Sequence, residues 1–116
     1  MGLEVIFLSL EEGTTNLIFT DSEGHHGKDI TTDVQPGDTV KWKIYKGSGI
    51  SEITSIYALP ENKDIFSKNP APDKHGTSWS GVISETATGE ESYGIKYIVD
   101  GQEYDVDPII RVLPRN

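Results

Sequence analysis

The stretch QPGDTVKW, residues 35–42, joins a turn to a strand and indicates the fold class of this 116-residue chain. Proline presets φ at the second turn position and glycine takes the left-handed position after it, so residues 35–38 are predicted to form a turn. Residues 39–45 then alternate with a period of two, which predicts an antiparallel strand with one buried face. The side predicted to face the core carries Val40, Trp42 and Ile44.

The rest of the chain repeats this pattern of short apolar runs between turn residues. Asp100-Gly101 predicts a tight hairpin, Pro108 a bulge or sheet edge, and the polar range 61–76 a long surface connection. These features, without a helical period, predict one all-β domain over residues 1–116, an antiparallel Greek-key β-sandwich of about seven to eight strands. The predicted strands are Leu3–Leu10, Asn16–Thr20, Ile30–Val34, Thr39–Tyr45, Ile50–Leu59 (buried on both sides or bulged), Thr77–Ser84, Ser92–Val99 and Gln102–Leu113.

Composition excludes several classes of function. The formal net charge is −9, with ten Lys and Arg residues against nineteen Asp and Glu, whereas nucleic-acid binding needs a clustered basic surface. The chain has no cysteine, so disulfides, thiolate metal sites and cysteine nucleophiles are excluded. No apolar run is long enough for a membrane helix. No signal peptide is visible, and both a cytoplasmic and a processed extracytoplasmic location stay open.

Several strand sequences resemble those of cupredoxin-like domains. The residues that carry the resemblance are Val34–Trp42, Trp79-Ser80-Gly81, Tyr97-Ile98-Val99 and Ile109–Val112. The resemblance implies a Greek-key sandwich, and an immunoglobulin-like sandwich is the alternative.

Cupredoxins hold copper with a histidine after the strand that corresponds to residues 39–45, and with a cysteine, a second histidine and usually a methionine near the last strands. Here residues 48–56 contain no histidine, the chain has no cysteine, and its single methionine is Met1. The resemblance therefore implies a copper-free relative with a diverged function.

The loop of residues 21–28 carries the first candidate metal site. His25 and His26 lie there, with Asp21, Glu23 and Asp29 nearby. Imidazole and carboxylate are suitable ligands for zinc, nickel or copper, and His75 would add a third imidazole if its connection folds over the same end. The alternative is that these are solvated loop histidines.

The last predicted hairpin carries the second candidate. Asp100, Glu103, Asp105 and Asp107 form the densest acidic cluster of the sequence, and carboxylate oxygens beside a glycine turn suit calcium. Glu103, Asp105 and Asp107 alternate along a strand and share one outward face. The alternative is a charged edge that blocks the addition of further strands.

No nucleophile elbow, phosphate-binding loop or helix-borne metal motif is present in the sequence, so we expect neither an enzyme nor a cofactor. Long polar loops on a rigid scaffold are a usual place for recognition. We therefore expect a non-catalytic binding module that takes a protein or glycan partner through the end loops 21–28 and 61–76. A divalent-metal binder is the alternative. Most of the tyrosines and tryptophans lie on the predicted core side of their strands, and Tyr45 and Tyr57 are the candidates for stacking against a sugar ring.

Overall fold

The computed structural model describes residues 2–28, 30–45, 47–60, 65–73 and 78–113, and these residues form eleven β-strands. Most of them are short, as the sequence predicts. They are β1 (Leu3–Leu10), β2 (Leu17–Asp21), β3 (His26–Gly27), β4 (Thr31–Val34), β5 (Thr39–Ile44), β6 (Glu52–Ala58), β7 (Phe66–Pro72), β8 (Ser78–Ile83), β9 (Gly89–Val99), β10 (Gln102–Val106) and β11 (Ile109–Val112).

The strands form two mixed sheets. Sheet I has six strands in the order β3-β2-β1-β5-β8-β7, and sheet II has five, in which β10, β9, β11 and β4 follow one another and β6 pairs with β9. The prediction of an all-β fold is confirmed, but the prediction of purely antiparallel pairing is wrong, because β5 runs parallel to β1 and β11 runs parallel to β4. Period-two alternation indicates which side of a strand is buried and carries no information about the direction of its neighbour.

The chain changes sheets between neighbouring strands, and this produces the parallel pairs. After β2 and β3 it enters sheet II as β4, then returns to sheet I as β5 beside β1. Parallel neighbours need such a crossover, since a tight hairpin joins only antiparallel strands. The turn at residues 35–38 makes the return: Gly37 has φ 84°, and the Asp38 side chain accepts hydrogen bonds from the Gly2 and Gln35 backbone N–H groups.

Aromatic side chains from both sheets meet in the core. Trp42 of β5 and Tyr93 of β9 are almost completely buried, and the Trp42 Nε1–H donates a hydrogen bond of 2.9 Å to the Tyr93 hydroxyl. Phe66 of β7 packs edge-on against both rings. The predicted core position of Trp42 is confirmed. Burial raises the pKa of Tyr93 far above its ordinary value, so this hydroxyl stays protonated.

The strand β9 is the longest and pairs with β10 and β11 as if they were one strand. Val106 lies opposite Ile95 and, three residues further along each strand, Ile109 lies opposite Ser92, so the register does not shift across Pro108. The Pro108 carbonyl accepts a hydrogen bond from the Tyr93 N–H, although proline has no N–H to return. The predicted tight turn is present between β9 and β10, where residues 100 and 101 have φ values of 51° and 79°.

Two further predictions concern irregular regions. The bulge is confirmed in β6, where the register shifts between Ile53 and Ser55. The predicted connection over residues 61–76 is wrong for its middle part, since residues 66–72 form β7, an irregular edge strand of sheet I. Residues 61–64 and 74–77 lie outside the described ranges. In the described part of the chain, no helix has the length and apolar character needed to cross a bilayer.

We predict that Tyr93→Phe lowers the free energy of unfolding by about 1–3 kcal/mol, because the buried Trp42 N–H then loses its acceptor without regaining water. Chemical denaturation with tryptophan fluorescence measures the change. Tyr45→Phe is the matched control, since Tyr45 is 58% exposed and its hydroxyl has no recorded partner in the described ranges. Equal stability of the two variants would contradict this role of the hydrogen bond.

Candidate functional site

Asp21 at the end of β2 holds the histidine loop in place. Its side chain is completely buried. One carboxylate oxygen accepts hydrogen bonds from the backbone N–H groups of Glu23 and His25, at 3.0 and 2.9 Å. The other accepts from the His25 ring at 2.8 Å and from the Thr32 hydroxyl at 2.9 Å. The range 21–28 is therefore an ordered hairpin, with β3 pairing back on β2.

These bonds shift the pKa values of both partners. Burial opposes ionisation of Asp21, but the hydrogen bonds from His25 and Thr32 outweigh it, so the pKa of Asp21 lies below its ordinary value. The hydrogen bond to Asp21 and the negative charge of that carboxylate raise the pKa of His25. Sequence reasoning named Asp21 as a neighbour of the histidines but missed its burial, although Leu17, Phe19 and Asp21 share one parity on β2.

The structure separates the two adjacent histidines. The ligand atoms of Asp21, Glu23 and His25 all lie within 4.8 Å of one another. His26 lies on β3, and its Nδ1 is 2.7 Å from the Thr20 hydroxyl. This separation follows from strand geometry, because adjacent residues point to opposite sides. His75 and Asp29, the other predicted ligands, lie outside the described residues.

The acidic hairpin contacts hydroxyl groups of β6 across the intervening strand β9. The Glu103 carboxylate accepts a hydrogen bond of 2.8 Å from Thr54, and both oxygens of Asp105 lie 2.9 Å from the Tyr57 hydroxyl. Asp100 lies in the turn, apart from these pairs. Within the described ranges the hairpin carboxylates do not come together as a group of three potential ligands.

Tyr57 reaches Asp105 because Gly94 leaves space for its ring. A Cβ atom at Gly94 would lie 2.2 Å from the Tyr57 ring carbon Cζ, a distance that real contacts do not show. The Lys96 ammonium lies 5.6 Å from the centre of the same ring. Burial, the hydrogen bond to Asp105 and the nearby carboxylates raise the pKa of Tyr57 to about 12. The Tyr57 ring therefore lies across β9 and links β6 to β10 through its hydrogen bond to Asp105.

The outward side of sheet II, called the acidic face here, is rich in carboxylates. Arg111 and Lys96 partly offset their charge, and the Arg111 guanidinium donates two hydrogen bonds to Asp33, at 2.7 and 3.0 Å. The carboxylates at the outward positions of its strands are Asp33, Glu52, Glu90, Glu103 and Asp105, and Asp107 follows β10.

The outward side of sheet I, called the basic face here, has the opposite character. In β1, β2, β5 and β8, the outward positions carry no Asp or Glu. Asp73, which follows β7, accepts a hydrogen bond from Ser78, the residue of β8 opposite Lys43. Tyr45 is 58% exposed and packs edge-on against Phe7. The lysines of this face are Lys41, Lys43 and Lys68, and its apolar members are Leu3, Val5, Phe7, Ile18, Tyr45 and Val82.

The fold and these surfaces define a sandwich-like all-β domain with oppositely charged outer faces. The chain belongs to a family described as a domain of unknown function (DUF8788), whose model matches residues 9–105. A crystal structure of the inclusion body protein PixA from Burkholderia cenocepacia J2315 is similar, with a TM-score of 0.54 and 12% identity over 98% of this chain and 95% of that one. At this identity the likeness concerns the fold alone. No curated protein matches the chain.

We predict that Gly94→Ala lowers the free energy of unfolding by about 1–3 kcal/mol, because the new methyl group displaces the Tyr57 ring. The Tyr57 hydroxyl then leaves Asp105, and its pKa falls from about 12 towards its ordinary value. Ultraviolet titration of tyrosinate, compared with Tyr57→Phe, measures the pKa, and thermal unfolding measures the stability. In a Tyr57→Ala background, Gly94→Ala should lower the free energy of unfolding by much less. An equally large decrease in that background would show that the Tyr57 ring is not the obstacle.

Proposed function

We propose that this protein is a non-catalytic interaction module that binds an acidic polypeptide through the basic face. One observation carries the proposal: in a chain of net charge −9, the outward positions of the four neighbouring strands β1, β2, β5 and β8 carry no carboxylate, and those of the inner strand β5 include Lys41 and Lys43. A charge-segregated surface with exposed aromatic residues favours protein recognition.

The chemistry of the basic face favours a polypeptide over a neutral glycan. Lys41 and Lys43 attract carboxylates at long range and set the orientation of the partner, while Tyr45 and Phe7 supply apolar contact area. A neutral glycan offers these ammonium groups hydrogen-bond acceptors but no opposite charge. The basic face is a different surface from the end loops predicted from the sequence. In the loop 21–28, the backbone N–H groups of Glu23 and His25 point inward and donate hydrogen bonds to Asp21.

We also propose that the domain is a Greek-key, copper-free relative of cupredoxin-like domains. The sequence resemblance over residues 34–42 supports this topology, and the turn and strand there have the expected positions. An immunoglobulin-like topology is the alternative.

We predict that Lys41→Glu/Lys43→Glu weakens binding of a poly-glutamate probe by about tenfold or more, because each substitution places like charges against each other. Fluorescence anisotropy of labelled poly-glutamate measures the affinity at several salt concentrations. Lys28→Glu/Lys96→Glu is the matched control, with the same change in net charge but both sites away from the basic face. Equal losses for the two variants would show that net charge alone governs the binding.

A second candidate function is the binding of a divalent metal ion by Asp21, Glu23 and His25. Their ligand atoms all lie within 4.8 Å of one another, which supports a metal-binding function. Two carboxylates with one imidazole suit zinc. The His25 Nδ1–H donates a hydrogen bond to Asp21. A metal ion that binds at this nitrogen must therefore displace its proton.

We predict for this candidate that zinc raises the melting temperature of the protein, because a ligand of the native state stabilises it by mass action. His25→Gln should remove the shift, whereas the control His26→Gln should keep it. Differential scanning calorimetry with and without zinc gives the result. An unchanged melting temperature in saturating zinc would exclude the candidate.

A further inference from the structure

We infer that the acidic partner of the basic face is a second copy of this chain, which docks through its acidic face. The inference rests on the proposed function and names the partner. The basic and acidic faces are the opposite outer sides of one sandwich, so each copy carries both halves of the contact.

The two faces present charges at matching intervals. Lys41 and Lys43 are two residues apart on β5, and Glu103 and Asp105 are two residues apart on β10, with Asp107 two further along. Residues at positions i and i+2 of a strand point to the same side and are separated by about 7 Å. The two lysines can therefore meet two successive carboxylates of the other face in register, with one ammonium group against each of the two.

The charged groups on both sides are available for such a contact. In the described parts of the chain, no carboxylate lies within ion-pair distance of Lys41 or Lys43. Thr54 and Tyr57 hold the carboxylates of Glu103 and Asp105 by hydrogen bonds, and an ionised carboxylate has about four acceptor positions in all. The carboxylates are thus positioned before binding, which reduces the entropy lost on association.

The repulsion between two chains of charge −9 is mainly a long-range effect. At about 0.1 M salt the Debye length is about 10 Å, so charges beyond that distance are largely screened. The association then depends on short-range interactions, which are the ion pairs between lysines and carboxylates and the apolar contacts of Phe7 and Tyr45.

The contact is heterologous, since it joins two different surfaces of the same chain. A docked pair still has one free basic face and one free acidic face on opposite ends. A heterologous contact between opposite sides of a molecule does not close on itself. The expected assembly is therefore a linear stack of copies that grows with concentration.

The test uses the full chain and two charge-reversal variants. Lys41→Glu/Lys43→Glu changes the basic face, and Glu103→Lys/Asp107→Lys changes the acidic face while it leaves the hydrogen bond between Tyr57 and Asp105 intact. Sedimentation velocity over a concentration series at about 0.1 M salt measures the assembly of each protein and of an equimolar mixture. Thermal unfolding confirms that both variants are folded.

We expect the unmodified chain to form larger species as concentration rises, and each variant alone to associate at least about tenfold more weakly. The mixture should associate again, because each variant supplies the charge that the other has lost. Net charge alone cannot produce this recovery.

Self-docking is overturned if the unmodified chain stays monomeric throughout the series, or if the mixture associates no better than the separate variants. A monomeric chain that still binds poly-glutamate through Lys41 and Lys43 overturns self-docking and leaves the proposed function intact. A chain that neither associates nor binds poly-glutamate overturns both.

Discussion

The buried hydrogen bond between Trp42 and Tyr93 joins the inner sides of the two sheets at the centre of the core. Each residue lies near the middle of its strand, and both side chains point inward and are almost completely buried. Because side chains alternate along a strand, this places the neighbours of Trp42 on one outer side and those of Tyr93 on the other. Breaking the bond would leave a polar group unpaired in the core, which disfavours other arrangements of the sheets.

The charge pattern of the surface follows from this orientation. With Trp42 inward, Lys41 and Lys43 point out from sheet I, and with Tyr93 inward, Lys96 and the opposing Asp105 point out from sheet II. The burial of Asp21 is a second consequence, since its inward position on β2 places a carboxylate where it can organise a hairpin. A single core alternation thus produces the basic face, the acidic face and the ordered loop.

Local physics explains which features could be predicted. The turn at residues 35–38, the core position of Trp42, the bulge in β6 and the hairpin at Asp100-Gly101 each depend on residues close together in sequence. The parallel pairs were missed because strand direction depends on where the chain crosses between sheets. The candidate sites were only partly predicted: His25 meets Asp21 and Glu23, whereas His26 is turned away by the alternation of the backbone.

The sequence by itself determined the fold class, the turns and the inner side of most strands, because period-two alternation and turn preferences are local properties of the chain. The tertiary structure alone decided which strands are neighbours, and therefore which side chains share a surface. Tyr57 meets Asp105 only because Gly94 of β9 lies between them. The contrast between the two outer faces likewise exists only after strands distant in sequence have been placed side by side.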